Sequence, residues 1–192
     1  MIIRWGLLGG DMNNNVVSSV SKYFQSRSIT TLRLNFKGMQ VGWGYAEIKQ
    51  VKMAASFLLN SEEVASKPTK ILIVGYSYGS FVGASASADI PECIGYVSIA
   101  PPFGVSHWLF MFNSSYHLKR AKMEKSNFVR LLMIGTSDNF TSESMFQKVA
   151  STFPKDTTTQ VIQGLDHFFA GRENEVVKVI DAWYDIALSR LL

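Results

Sequence analysis

The feature that most constrains this sequence is an apolar run that leads into a glycine-flanked serine. Residues 71–74 read Ile-Leu-Ile-Val and are followed by Gly75-x-Ser77-x-Gly79 and then by a run of small residues. An unbroken apolar run is typical of a strand buried on both faces of a parallel sheet. A strand, a tight turn and a closely packed helix in this order predict a nucleophile elbow, with the Ser77 hydroxyl raised above the sheet. The alternative is a glycine-rich turn with no chemical role.

The rest of the chain alternates between strand-like and helix-like segments. Further strands are predicted at the start of the chain and over residues 29–36, 94–100, 128–136 and 157–162. Apolar periodicity predicts helices that begin at Asn13 or Asn14 and others over 46–59, 116–125, 143–153 and 173–192. This alternation predicts an α/β fold, a mostly parallel sheet with helices on both faces, in one domain over residues 1–192. Residues 103–127 are aromatic-rich and irregular, and we expect them to form a lid or a pocket-lining insertion.

Composition excludes several classes of protein. The net charge of +4 is modest, and the basic cluster at 119–125 is interrupted and lacks regularly spaced aromatics, so we expect no nucleic-acid partner. The most apolar run, 108–112, is too short for a membrane span. The single cysteine, Cys93, has no internal disulfide partner and is expected in the core of a cytoplasmic protein. The sequence shows no clustered metal ligands and no dinucleotide fingerprint, so neither metal nor cofactor is expected.

An elbow serine needs a base and an acid, which follow it along the chain in the order Ser, Asp, His. Two residues separate Asp138 from the apolar run that ends at Gly135, which places it at the sheet edge where ligands bind in open α/β folds. His167 lies between the last predicted strand and the last helix. Asp166 is the rival acid, with a loop-fixing role as its other interpretation, and Asp138 could also serve only to turn its loop. His107 and His117, in the aromatic segment, are expected to be surface or lid residues.

These residues together indicate acyl transfer. His167 would accept the Ser77 proton while Asp138 holds the imidazole and stabilises its charged form. The oxyanion would be bound by two backbone N–H groups, that of Tyr78 directly after the nucleophile and one from the glycine-rich loop at Trp5.

Four motifs occur together in this sequence: LGGDMNNNVV at 8–17, LRLNFKG at 32–38, GYSYG at 75–79 and DHFF at 166–169. With them the chain resembles the α/β-hydrolase superfamily, and within it a group of small serine hydrolases near the dienelactone-hydrolase-like enzymes. The resemblance spans nearly the whole chain. It implies the α/β-hydrolase fold and hydrolysis of a small-molecule acyl substrate without a cofactor.

The chain departs from that family in three respects. Dienelactone hydrolases proper use a cysteine where this chain has Ser77, and the family's His-Pro pair is replaced by Ile3 and Arg4. The family also has two or three earlier strands, so we expect an N-terminally shortened fold. Such a fold would leave an open sheet edge, which a homodimer could cover by pairing edge to edge.

The function expected from these observations is hydrolysis of a small carboxylic ester, thioester or related acyl compound by a carboxylesterase-like serine hydrolase. An acyl-protein thioesterase or a peptidase is the alternative among enzymes. A non-catalytic hydrolase-fold protein, used for binding or interaction, is the alternative of another class. The complete set of Ser77, Asp138 and His167 argues against it, whereas the shortened N-terminus argues for it.

Overall fold

A computed structural model of the chain describes residues 2–4, 11–37, 43–64, 67–109, 113–189 and 191. The strands of this part form one sheet in the order β2-β1-β3-β4-β5-β6, and every neighbouring pair is parallel. Their bounds are β1 Ile2–Arg4, β2 Arg33–Asn35, β3 Ile71–Tyr76, β4 Cys93–Ile99, β5 Val129–Gly135 and β6 Thr158–Ile162. The predicted parallel α/β architecture is confirmed.

Helices cover both faces of the sheet. They are α1 Asn15–Ser26, α2 Tyr45–Asn60, α3 Tyr78–Ala86, α4 Ser106–Leu109, α5 Ser114–Ala121, α6 Glu143–Ala150 and α7 Glu173–Ser189, with a 3-10 turn at Ser87–Asp89. The buried side chains of α1 and α7 pack on one face, and those of α2, α3 and α6 pack on the other. Successive strand residues point to opposite faces, so Ile73 joins one core and Val74 the other. Burial on both faces is why the central strand β3 begins with an unbroken apolar run.

The structure shortens one of the predicted strands. The strand expected over 29–36 pairs only over Arg33–Asn35, because the strand beside it, β1, offers three residues in the described part of the chain. Upstream of that, Ile29 N–H bonds back to the carbonyl of Phe24 at 3.0 Å, which closes the turn after α1. The Asn14 side chain caps α1 by accepting from Val16 N–H, so of the two caps that the sequence predicts, Asn13 or Asn14, it is the second that forms.

The aromatic segment is partly integrated into the core. Phe103 packs against Phe81 and Phe146, with ring centroids 5.5 and 6.2 Å apart. His117 was expected at the surface or in a lid, and this is wrong: its side chain is fully buried, and its Nε2 lies 2.9 Å from the carbonyl oxygen of Trp43. The reason is that α5 packs against α3, which turns this face of α5 inward. Residues 110–112 lie outside the described part.

No helix among the described residues has the length and apolarity needed to cross a membrane. Cys93 is buried at the start of β4, as expected of a core residue.

Candidate active site

Ser77 occupies the sharp turn between β3 and α3. Its backbone dihedral angles, φ 53° and ψ −125°, lie in a region that residues other than glycine rarely adopt. Such a conformation costs on the order of 1–3 kcal/mol and persists only where the surroundings enforce it. Here Ser77 N–H is held by the carbonyl of Ile99, 2.9 Å away on the next strand. A Cβ at Gly75 would overlap the carbonyl of Gly79, so the turn requires glycine at that position.

His167 lies in the loop between β6 and α7 and brings the other two predicted residues together. Its Nε2 is 2.8 Å from Ser77 Oγ, and its Nδ1 is 2.7 Å from Asp138 Oδ2. The His167 side chain is almost completely buried, as is that of Asp138. Three residues that are 61 and 29 positions apart along the chain thus form one hydrogen-bonded series at the carboxyl edge of the sheet.

Asp138 uses its two carboxylate oxygens for different tasks. Oδ2 faces His167, while Oδ1 accepts hydrogen bonds from the backbone N–H groups of Phe140 and Thr141 at 2.8 and 3.0 Å. The two interpretations of this residue, a loop-turning aspartate and a partner for the histidine, therefore describe the same carboxylate. The loop bonds fix the carboxylate, and the fixed carboxylate orients the imidazole.

Asp166 makes a different set of bonds. Its Oδ1 accepts from the N–H groups of Phe168 and Phe169, at 2.9 and 3.0 Å. This arrangement turns the loop immediately after His167, where Phe169 adopts a positive φ of 52°. The geometry is that of a loop-fixing residue, the second of the two interpretations given for Asp166.

Tyr76 supports His167 in a way that the sequence pattern did not reveal. Its hydroxyl donates to the main-chain carbonyl of His167 at 2.7 Å, and its ring stacks against the imidazole at 5.7 Å. Phe140 packs against the same imidazole, with ring centroids 4.5 Å apart. Tyr76 occupies a position that the G-x-S-x-G pattern leaves open, so the pattern carries no signal for it.

The sequence pattern also did not reveal a second set of hydrogen bonds that supports the loop of His167. The amide of Asn15, at the start of α1, donates to the carbonyl of Phe168 at 3.1 Å and to Glu173 Oε1 at 2.6 Å. Glu173 Oε1 also accepts from Gly171 N–H at 3.1 Å. The Asn15 bond holds the pKa of the Glu173 carboxyl below its ordinary value. The loop of His167 is thereby tied to the helix that follows the glycine-rich segment at 5–10.

Of the two predicted oxyanion donors, one lies in the described part. Tyr78 is the first residue of α3, where backbone N–H groups have no partner within the helix. Its phenol points away into the core, 6.2 Å from the ring of Phe36, and burial raises its pKa well above the ordinary range. Trp5 lies outside the described residues. Ser80, whose Oγ donates to the carbonyl of Ser77 at 2.6 Å, is buried in the helix.

The residues that the structure describes contain no group of three or more His, Cys, Asp or Glu side chains placed to hold a metal ion. The chemistry available at the site is that of a hydroxyl, an imidazole and a carboxylate in series. Such a series can move a proton from the hydroxyl as it attacks an electrophile.

Comparison with known proteins places this geometry in a family. A family model described as an alpha/beta hydrolase domain matches residues 6–188. The chain belongs to the α/β-hydrolase domain family. The matched range contains Ser77, Asp138 and His167, and membership supports a hydrolase activity in general.

Individual relatives agree on the fold. An uncharacterized protein of Rickettsia prowazekii is 23% identical over 185 residues, which cover 91% of this chain and 73% of that protein. The structure of an α/β serine hydrolase homologue from Coxiella burnetii superposes with a TM-score of 0.72 at 24% identity, covering 93% of this chain and 81% of that one. Est1E from Butyrivibrio proteoclasticus gives a TM-score of 0.79 at 12% identity, covering 98% and 87%. At these identities the structural likeness establishes the fold.

Proposed function

We propose that this protein is a serine hydrolase that cleaves a small carboxylic ester, thioester or related acyl compound through an acyl-enzyme. The observation that carries the proposal is the placement of His167 between Ser77 Oγ at 2.8 Å and Asp138 Oδ2 at 2.7 Å. Both distances are those of good hydrogen bonds, and each ring nitrogen has one partner of the required chemistry. Membership of the α/β-hydrolase domain family supports the same assignment.

The first half-reaction acylates Ser77. His167 donates a hydrogen bond from Nδ1–H to Asp138, so the lone pair of Nε2 faces the serine hydroxyl. As Ser77 Oγ attacks the acyl carbon, His167 takes the hydroxyl proton and Asp138 stabilises the imidazolium. His167 then gives that proton to the leaving oxygen or sulfur as its bond to the acyl carbon breaks.

The second half-reaction regenerates the enzyme. Water attacks the ester of Ser77 with His167 again as the base, and the carboxylic acid leaves as Ser77 Oγ regains its proton. The mechanism uses the protein's side chains, its backbone and water.

The charge that develops on the acyl oxygen requires N–H donors. We assign one to the backbone of Tyr78 and one to the loop around Trp5, and each donor of this kind is worth roughly 3–4 kcal/mol. The Tyr78 donor belongs to the main chain, and the phenol lies in the core. Tyr78→Phe should therefore keep most of the activity towards activated esters. A large loss in this variant would place the phenol itself in the chemistry.

A fluorophosphonate probe tests the proposal. The folded protein should be labelled at Ser77, and mass spectrometry of the labelled peptide should place the adduct there. Ser77→Ala should abolish labelling, whereas Ser80→Ala provides a matched control on a serine that bonds within the helix. Folded protein that gains no label beyond a heat-denatured sample would contradict the proposal and favour the non-catalytic alternative.

A further inference from the structure

Two phenylalanines form an apolar corner beside His167. The ring of Phe140 lies 4.5 Å from the imidazole and that of Phe168 lies 5.6 Å from it. The two phenyl rings are 6.5 Å apart and nearly perpendicular, at 79°. Phe140 is half-buried, whereas 46% of Phe168 is exposed. We refer to Phe140 and Phe168 as the aromatic corner.

The exposed ring of Phe168 is carried on a fixed backbone. Its N–H donates to Asp166 Oδ1 at 2.9 Å, and its carbonyl accepts from the Asn15 amide at 3.1 Å. The N–H of Phe140 is likewise held by Asp138 Oδ1. When an apolar group covers an aromatic side chain that is exposed to water, the free energy falls. Because the backbone here is already held in place, binding costs little backbone entropy.

The position of the corner determines which part of a substrate it would meet. In the proposed mechanism the leaving oxygen takes its proton from His167 Nε2, so the group attached to that oxygen must lie beside the imidazole. The oxyanion donor at Tyr78 N–H belongs to the first residue of α3, whereas both rings of the corner contact the imidazole itself. The corner therefore adjoins the leaving group of the substrate.

We propose that the aromatic corner is a leaving-group site, and that the preferred substrates are esters of aromatic or other bulky apolar alcohols. This inference rests on the proposed function. In the step concerned, the bond from Ser77 Oγ to the acyl carbon forms and the bond from that carbon to the alcohol oxygen breaks. The proton passes from His167 Nε2 to that oxygen, and the freed alcohol departs from the aromatic corner. Water later releases the acyl group from Ser77.

Two ester series separate the leaving group from the acyl group. In the first series the acyl group is acetyl and the alcohol is ethanol, cyclohexylmethanol or benzyl alcohol. In the second series the alcohol is ethanol and the acyl group is acetyl, butyryl or phenylacetyl. Phe168→Ala should lower the benzyl-to-ethyl ratio of kcat/KM by about tenfold, the size associated with losing a modest apolar contact in a specificity pocket. Ratios within the acyl series should be unchanged.

Phe57→Ala is the matched control, because Phe57 is an exposed phenylalanine on α2 and is not part of the aromatic corner. It should leave both sets of ratios at their wild-type values. Phe168→Leu keeps an apolar side chain and should retain the preference for cyclohexylmethyl acetate better than Phe168→Ala.

Acyl transfer to added alcohol gives a second readout. Benzyl alcohol that occupies the corner should capture the acetyl-enzyme in competition with water, giving benzyl acetate. Phe168→Ala should lower the ratio of benzyl acetate to acetic acid, with little change in the corresponding ratio for ethanol. This partition is measured after the acyl-enzyme has formed, so a slower first half-reaction does not affect it.

The outcomes that overturn the inference are distinct from failure of the proposed function. Equal losses of kcat/KM over all esters would show that Phe168 acts only by positioning His167. Changes confined to the acyl series would assign the corner to the acyl group. In either case labelling of Ser77 by fluorophosphonate would still support a serine hydrolase. Absence of both labelling and hydrolysis would remove the proposed function and this inference with it.

Discussion

The loop that carries His167 and the helix that carries His117 bury a histidine equally well and give it different partners. The residues His167 and His117 are 3% and 0% exposed. His167 has a carboxylate on one ring nitrogen and a hydroxyl on the other, both supplied by loops at the carboxyl edge of the sheet. His117 directs Nε2 at the main-chain carbonyl of Trp43, which accepts from Asn113 as well. Burial alone thus says little about what a histidine does.

The partners explain the difference. A carbonyl can only accept, so Nε2 of His117 must carry a proton, and the ring is a donor that joins α5 to the segment before α2. Burial lowers the pKa of His117 and so favours the neutral ring, and it outweighs the opposite effect of the hydrogen bond to Trp43. His167 instead lies between an acceptor and a hydroxyl, an arrangement in which a proton can move. The following predictions test this contrast, first at His167 and last at His117.

The largest effect is expected at Asp138. Asp138→Asn keeps an oxygen to accept from the loop N–H groups, but its amide disfavours the Nδ1–H tautomer of His167. The kcat for p-nitrophenyl acetate should fall by roughly 10³- to 10⁴-fold with the melting temperature nearly unchanged. Asp166→Asn, which also keeps an acceptor oxygen for its turn, should lose far less. The reverse order of effects would mean that Asp166 supplies the acid.

A smaller effect is expected at Tyr76. Tyr76→Phe removes the hydrogen bond to the main-chain carbonyl of His167 and leaves that buried oxygen without its donor. We expect a loss of about 1–3 kcal/mol in the free energy of unfolding, measured in urea. The kcat should fall by about tenfold, since a small displacement of the imidazole weakens general-base catalysis. Wild-type turnover in a destabilised variant would show that the hydrogen bond serves the fold and does not position the ring.

A still smaller loss of activity is expected at Asn15 in α1, because its hydrogen bonds to the loop of His167 are more exposed than that of Tyr76. Asn15→Ala removes the bonds to Phe168 and Glu173, and we expect a several-fold loss of kcat/KM with a modest decrease in melting temperature. Without the Asn15 amide, the pKa of Glu173 should rise towards its ordinary value of 4.5. NMR titration of the Glu173 carboxyl measures this shift. Asn13→Ala, two residues earlier, is the control, and an equal loss of kcat/KM there would argue against a specific role for Asn15.

The smallest effect on turnover is expected at His117, where the consequence is for stability. The folded protein holds the pKa of His117 below its ordinary value of 6.5, so the unfolded chain binds a proton that the folded chain does not as the pH falls through 6.5. The unfolding free energy should therefore decrease below that pH and be unaffected by His117 above it.

Replacement by glutamine isolates this contribution. The amide of Gln can still donate to Trp43 but does not titrate, so the stability of His117→Gln should depend less on pH than that of the wild type. Urea unfolding at pH 7.5 and pH 5.5 measures the difference. Equal pH dependence in the two proteins would show that His117 is free to take up a proton in the folded state.

Local pattern was enough to predict the elbow and the architecture. The unbroken apolar run of β3 and the glycines around Ser77 are chemical requirements of a strand buried on both faces and of a turn with no room for a Cβ. Strands that alternate with helices leave few arrangements besides a parallel sheet. Asp138 and His167 could be selected as candidates because each follows a strand at the edge where the loops of such a sheet meet.

Contacts between distant segments were decided only by the tertiary structure. Nothing local marks Tyr76 as a partner of a residue 91 positions away, or Asn15 as a partner of one 153 positions away. The same holds for His117, which lies in an irregular aromatic segment and was expected at the surface. Which face of α5 is buried depends on how that helix packs against α3, and a segment without regular periodicity does not encode this packing locally. Sequence therefore determined which residues could react, whereas packing determined which side chains hold them in place.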